Sequence, residues 1–155
     1  MFPASEVIDM AIKVEIEGNR FYAHVSRSSS DLREPFRFLA EQEEEHRKKF
    51  EKLKEHMKDV TYTQEWSNTV PFPDQIVQSA LFGESAPLNK AKSAGSVDEL
   101  IGIAREFEMT TVSFYERILE SARASAREVI GLIIEEEKKH VKILNDMQKD
   151  RAGQS

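Results

Sequence analysis

The sequence contains no cysteine. This absence excludes disulfide bonds, thiol catalysis, thiolate zinc sites and iron–sulfur clusters. A membrane-spanning helix needs about 20 consecutive apolar residues, and no stretch of this sequence comes near that length. We therefore expect no membrane partner. The first residues, Met1 to Glu6, lack a basic region followed by an apolar stretch. We therefore expect no signal peptide and a cytoplasmic protein.

An excess of basic charge is also absent. The chain has 22 Lys and Arg residues against 28 Asp and Glu residues, which leaves a net charge of -6. Domains that bind nucleic acid usually carry a basic face, so this balance argues against a nucleic-acid partner.

The length and apolar periodicity of the chain predict one all-α domain over residues 1–155. Ser5, Ser30 or Asp31, and Ser96 are the expected N-caps of its first three long helices. We predict an antiparallel four-helix bundle of two helix pairs, with helices A to D over about 5–25, 31–57, 96–121 and 126–148.

A long segment, 58–95, joins helices B and C and is predicted to cross the bundle lengthwise. Within it we predict a short helix over 74–82 and a loop over 83–95. Its aromatic residues, Tyr62 among them, suggest that it packs on the bundle. Three of them are expected to serve crossover packing or a dimer contact rather than a substrate pocket: Trp66, Phe72 and Phe82.

Each helix has one glutamate at the centre of its apolar face when successive residues are turned by about 100°. Their neighbours Glu17, Glu41 and Glu45 point away, and Glu44 and Glu136 lie off the centre. Two histidines, His24 and His56, are predicted to be surface residues. The central glutamates are Glu15, Glu43, Glu108 and Glu137.

The two halves of the chain repeat this chemistry. Glu15 and Glu108 are each followed seven residues later by a tyrosine, Tyr22 or Tyr115. The repeat also favours Glu15 over Glu17, because the residue equivalent to Glu17 is a threonine. In each second helix a histidine follows the glutamate by three residues, one helical turn away: Glu43 with His46, and Glu137 with His140.

These buried carboxylates require a counter-charge. Burying one isolated carboxylate costs several kcal/mol, and the whole domain is stable by only about 5–15 kcal/mol. Arg47 and Arg105 lie at the edges of their helix faces, where long side chains usually reach outward. Two divalent cations would offset four negative charges, so the pattern predicts a two-metal site.

The chain resembles the ferritin-like di-iron carboxylate proteins, and among them the rubrerythrin-type di-iron domain. Two stretches carry the resemblance, Glu15 to Tyr22 and Leu39 to His46, together with their counterparts in the second half. The resemblance covers about residues 5–57 and 96–148. It implies a ferritin-like bundle in which two helices each give one Glu and two helices each give a Glu-x-x-His pair.

The resemblance also implies the role of each ligand. Glu43 and Glu137 would bridge two metals, Glu15 and Glu108 would be terminal ligands, and His46 and His140 would each give one nitrogen to a metal. Two iron ions are expected, with manganese or zinc as alternatives. The hydroxyls of Tyr22 and Tyr115 either donate to carboxylates of the facing helices or belong to plain core aromatics. No catalytic residue is expected beyond these groups.

Three functions follow from the resemblance. The first is an oxidoreductase, similar to rubrerythrin peroxidases, that reacts with hydrogen peroxide or dioxygen. Its electrons would come from a separate rubredoxin-like protein, because the chain has no cysteine for an iron domain of its own. The second is iron handling by ferroxidation, storage or delivery. The third is a structural module without chemistry.

We also expect a homodimer. Some members of the family carry a further Glu where this chain has Thr111, which argues against redox-linked ligand movement.

Overall fold

The computed structural model describes residues 2–56, 69–70, 81–122 and 124–153. Two residue pairs form a minimal antiparallel ladder, β1 (Phe2–Pro3) with β2 (Thr69–Val70), in which Phe2 lies opposite Val70. The helices are, in chain order, α1 (Ala4–Ser28), α2 (Arg33–His56), a 3₁₀ turn (Gly83–Ser85), α3 (Pro87–Lys92), α4 (Val97–Ser121) and α5 (Ala124–Ala152).

The four long helices pack as two pairs, α1 along α2 and α4 along α5. A short turn joins the members of each pair, so neighbours run antiparallel. The predicted all-α bundle is confirmed. No described helix has a stretch long and apolar enough to cross a lipid bilayer.

The helix ends differ in part from the prediction. The cap at Ser96 is confirmed, since its Oγ accepts a hydrogen bond of 3.1 Å from the backbone N–H of Glu99. The other two caps are wrong: α1 begins one residue before Ser5, and α2 begins only at Arg33. Helix α5 continues past the predicted end near residue 148. Its last turn is held to α4 because Arg151 Nε donates to Asp98 Oδ1 at 2.6 Å.

The predicted loop over 83–95 is also wrong, because the 3₁₀ turn and α3 occupy most of it. Pro87 lies in the first turn of α3, where its fixed φ suits a helix and no hydrogen bond is lost. Phe82 is partly buried against the core. The helix predicted over 74–82 lies almost wholly outside the described residues, as do Tyr62, Trp66 and Phe72.

The core consists of two hydrophobic clusters, one toward each end of the bundle. The first includes Val14 and Phe50, and the second includes Phe21 and Ala40. Along each long helix, the predicted central glutamate falls between residues of the two clusters. The fold therefore places a layer of polar side chains between two apolar ones.

Candidate metal centre

The polar layer holds all six residues that the sequence predicted as ligands. The four glutamates and His46 have no exposed surface, and His140 is 2% exposed. Neighbouring glutamates on the same helices lie in solvent: the side chain of Glu45 is 60% exposed and that of Glu135 is 68% exposed. In each run of consecutive glutamates, around Glu43 and around Glu137, one side chain therefore faces the core, as the 3.6-residue period of a helix requires.

The six residues form two overlapping groups. The first group is Glu15, Glu43, His46 and Glu137, and the second is Glu43, Glu108, Glu137 and His140. Within each group, one oxygen or nitrogen atom of every residue lies within 4.8 Å of the others. Glu43 and Glu137 belong to both groups. The geometry also pairs His46 with Glu15 and His140 with Glu108, which the sequence left undetermined.

Both imidazoles direct Nδ1 into the layer. His46 Nδ1 lies 2.6 Å from Glu137 Oε1 and 3.7 Å from Glu15 Oε2. His140 Nδ1 lies 3.5 Å from Glu108 Oε1, 3.4 Å from Glu137 Oε2 and 3.7 Å from Glu43 Oε1. The two rings are nearly parallel, at 19°, with centroids 5.8 Å apart.

Many polar atoms of this layer lack a hydrogen-bond partner among the described residues. They are Glu15 Oε2, both Glu43 oxygens, Glu108 Oε2, Glu137 Oε2 and both ring nitrogens of His140. Buried polar groups of folded proteins are nearly always paired, so a concentration of unpaired atoms requires an explanation. Carboxylate oxygens and imidazole nitrogens are the donor set of iron, manganese and zinc, and divalent cations would supply the missing partners.

The nearby arginines do not supply this charge. Arg47 pairs with Glu44 and, through Nη1 at 2.6 Å, with Glu51. Arg105 Nε donates to Asn145 Oδ1 at 2.5 Å.

The electrostatics of the layer reflect crowded carboxylates. Burial raises the pKa of Glu43, and burial together with Glu137 raises the pKa of Glu108 to about 8. Burial would also raise the pKa of Glu137, but the neighbouring Glu108 carboxyl group and both imidazoles lower it. Burial lowers the pKa of each imidazole, yet the facing carboxylates raise the pKa of His46 to about 11 and of His140 to about 10. Without cations, protons must therefore neutralise the layer.

Two tyrosines form reciprocal hydrogen bonds between the two helix pairs. The Tyr22 hydroxyl on α1 donates to Glu108 Oε1 on α4 at 2.7 Å, and the Tyr115 hydroxyl on α4 donates to Glu15 Oε1 on α1 at 2.7 Å. Burial raises the pKa of both phenols, so they are neutral donors. Each hydroxyl fixes one oxygen of a carboxylate and leaves the other oxygen, Oε2, without a partner.

Glu136 is a residue of the site that the sequence pattern missed. Its Oε2 lies 2.5 Å from His46 Nε2 and its Oε1 lies 3.5 Å from Lys49 Nζ, while its side chain is 32% exposed. A carboxylate on the outer nitrogen of a ligating histidine orients the ring and increases its basicity. The repeat gave no signal, because the equivalent residue in the first half is Gln42.

Gly18 is the second residue that the pattern missed. A Cβ atom at this position would lie 2.9 Å from Glu43 Oε2 and 2.9 Å from Phe107 Cε1. Any other residue here would force the Glu43 carboxylate or the Phe107 ring to shift, so the missing side chain makes room for both in their present positions. A glycine inside a helix was an ambiguous signal, since a Cβ at the helical glycines Gly102 and Gly131 would meet no atom of the described residues within 4 Å.

Comparison with known proteins agrees with this geometry. The family model described as Rubrerythrin matches residues 6–148. A crystal structure described as a ferritin-like diiron-carboxylate protein from Thermotoga maritima superposes with a TM-score of 0.76 at 23% sequence identity, covering 97% of each chain. At this identity the similarity shows the fold, and it confirms the predicted ferritin-like bundle. No curated protein matches the chain.

Proposed function

Because this chain belongs to the rubrerythrin family, we propose that it is a di-iron oxidoreductase that reduces hydrogen peroxide or dioxygen. The observation that carries the proposal is the pair of buried groups that share Glu43 and Glu137 and leave five carboxylate oxygens unpaired. In this proposal Glu43 and Glu137 would be shared by two metal ions. Glu15 and His46 would help to hold one ion, and Glu108 and His140 the other.

When bound, two ferrous ions supply two electrons, which with two protons reduce one hydrogen peroxide molecule to two water molecules. The residues of the chain prepare the site for this chemistry. Glu136 orients the His46 ring through its outer nitrogen, so that Nδ1 faces the shared carboxylates. Tyr22 and Tyr115 hold Glu108 and Glu15 in place through neutral hydroxyls.

The two hydrophobic clusters cover the polar layer from both ends of the bundle and limit the entry of water. The proposal includes a separate source of electrons, since this sequence contains no cysteine to bind a second iron centre. A rubredoxin-like donor, a homodimer and a cytoplasmic location stay predictions from the sequence.

The test begins with anaerobic reconstitution with ferrous iron. We expect two iron ions per chain and rapid oxidation by hydrogen peroxide in a stopped-flow experiment, faster than oxidation by dioxygen, with turnover when a reduced rubredoxin is added. A reduced protein that reacts with neither oxidant would contradict the proposal. Glu43→Ala should lose iron, whereas the matched variant Glu45→Ala on the exposed face of the same helix should keep it.

One observation favours a second candidate, iron handling without peroxidase turnover. Thr111 is buried where some family members have a further Glu, and its hydroxyl donates to the backbone oxygen of Phe107 at 2.8 Å. It offers no carboxylate for ligand movement. Under this alternative the protein would oxidise iron and then store it or pass it to an acceptor. A dimer by light scattering that holds no more than two iron ions per chain would exclude storage.

A further inference from the structure

A cleft of about 150 Å³ lies beside α4, under the segment that leads into it. Ser85, Pro87 and Lys90 line the cleft from the connecting segment. Four residues line it from α4: Ile103, Glu106, Phe107 and Thr110. A water molecule takes about 30 Å³ in the liquid, so the cleft holds a molecule of a few heavy atoms.

Phe107 is the residue that links this cleft to the polar layer. Its side chain lines the cleft, and its ring carbon Cε1 lies 2.9 Å from the point where Gly18 would carry a Cβ. Glu43 Oε2 lies 2.9 Å from the same point. The ring edge and the carboxylate oxygen are therefore no further apart than twice that distance, so Phe107 connects the lining of the cleft to the surroundings of Glu43.

The internal repeat does not preserve the residues of this contact. The residue equivalent to Gly18 in the second half is Thr111, which is buried and has a side chain at the corresponding place. The residue equivalent to Phe107 is Val14, which is buried in the first hydrophobic cluster. The sequence therefore does not repeat, in its second half, the glycine and phenylalanine that meet beside Glu43.

The lining indicates the class of molecule that fits. Pro87, Ile103 and Phe107 are apolar, and Thr110 adds a hydroxyl group. The charges of Lys90 and Glu106 face each other, with Nζ and Oε2 3.9 Å apart, so the mouth attracts neither anions nor cations. We propose that this cleft is where a small uncharged oxidant, hydrogen peroxide above all, enters and binds, with the Phe107 ring as the gate to Glu43. This inference rests on the proposed function.

The first test needs no redox turnover. Dissolved xenon is applied to zinc-loaded or metal-free protein, both diamagnetic, and methyl chemical shifts are followed by NMR. We expect xenon to shift the methyl resonances of Ile103 and Thr110. Val112 and Val141 line a separate groove between α4 and α5 and serve as the internal control. Shifts confined to those two valines, or no shift at Ile103, would overturn the proposal.

The second test fills the cleft. Thr110→Trp should slow the oxidation of the ferrous protein by hydrogen peroxide about tenfold or more, within the range by which substitutions change association rates. Met109→Trp is the matched control, because Met109 is the preceding residue, is 45% exposed and lines the other groove. Its rate should stay close to that of the parent. Iron content must remain equal in all three proteins.

A third variant covers the case in which Thr110→Trp fails to fold. Phe107→Leu shortens the gate and should accelerate oxidation by the bulkier tert-butyl hydroperoxide more than oxidation by hydrogen peroxide. The outcomes separate the two proposals. A parent protein that binds iron but reacts with no oxidant overturns both, whereas a reactive parent whose rates are unchanged by Thr110→Trp and Phe107→Leu overturns only the assignment of the cleft.

Discussion

Replacing Glu43 with methionine should stabilise the metal-free protein while abolishing its high affinity for metal. Both oxygens of Glu43 are buried without a hydrogen-bond partner, and burial raises the pKa of this carboxyl. Methionine has a similar volume and an unbranched side chain, so it fits the space beside Gly18 without adding polar atoms. The same side chain removes the ligand that both groups share.

The magnitude follows from the burial of Glu43. A buried polar group without a partner costs about 1–3 kcal/mol, and exchanges of buried ionic groups for hydrophobic residues have stabilised proteins by about 1–4 kcal/mol. We therefore expect the free energy of unfolding of metal-free Glu43→Met to rise by about 1–4 kcal/mol. Two ions at about 100 times their dissociation constants would stabilise the parent by about 2.7 kcal/mol each. Metal should therefore reverse the order of stability.

Urea denaturation of the metal-free proteins measures the effect. The midpoint of Glu43→Met should rise while the slope stays the same. Glu45→Met is the control, since its side chain is 60% exposed and surface changes usually stay within about 0.5 kcal/mol. A lower midpoint for Glu43→Met would refute the reasoning, because it would mean that the carboxylate stabilises the protein without metal.

Three further predictions concern the groups around the shared carboxylates. Tyr22→Phe removes the hydrogen bond to Glu108, and metal affinity measured by competition with a chelator should fall about 10–100-fold; an unchanged affinity would show that the hydroxyl does not position the ligand. The thermal midpoint of metal-free protein should fall as pH rises from about 5 to 9. The folded-state pKa of Glu108 is raised to about 8 and that of His46 to about 11. The stability that protonation of these groups gives the folded protein is complete below their ordinary pKa values, 4.5 and 6.5. It is lost as pH rises through the folded-state values. A midpoint that rises over this range contradicts the assignment. Glu136→Ala should weaken binding at the His46 position alone, visible as one tight and one weakened equivalent in calorimetry, whereas equal weakening of both equivalents would argue against a local role.

The sequence predicted the six residues of the polar layer because helical phase depends only on spacing. Glu15 and Glu17 are two residues apart, so one of them must face solvent when the other faces the core. The repeat made the same choice independently. The sequence predicted that the hydroxyls of Tyr22 and Tyr115 could donate to carboxylates of the facing helices. It did not predict which glutamate accepts each hydrogen bond, because that depends on how the helices pack.

Other features depend on distances between helices, which spacing along one helix does not contain. The contact of Glu136 with His46 joins α5 to α2 from the edge of the apolar face. The importance of Gly18 arises because α1, Glu43 and Phe107 meet at one point. Helix α5 extends to Ala152, and in its last turn Arg151 contacts Asp98, a residue 53 positions earlier in the chain.

Each of the two groups of candidate ligands draws on both helical hairpins, α1–α2 and α4–α5. The first group takes three residues from the first hairpin and Glu137 from the second, and the second group takes three from the second hairpin and Glu43 from the first. Bound ions would therefore cross-link the two hairpins, and separation of the hairpins would break both groups. We expect iron release to a chelator to reach a limiting rate that no longer depends on chelator concentration. That rate should equal the opening rate that hydrogen exchange reports for the buried amides of both hairpins.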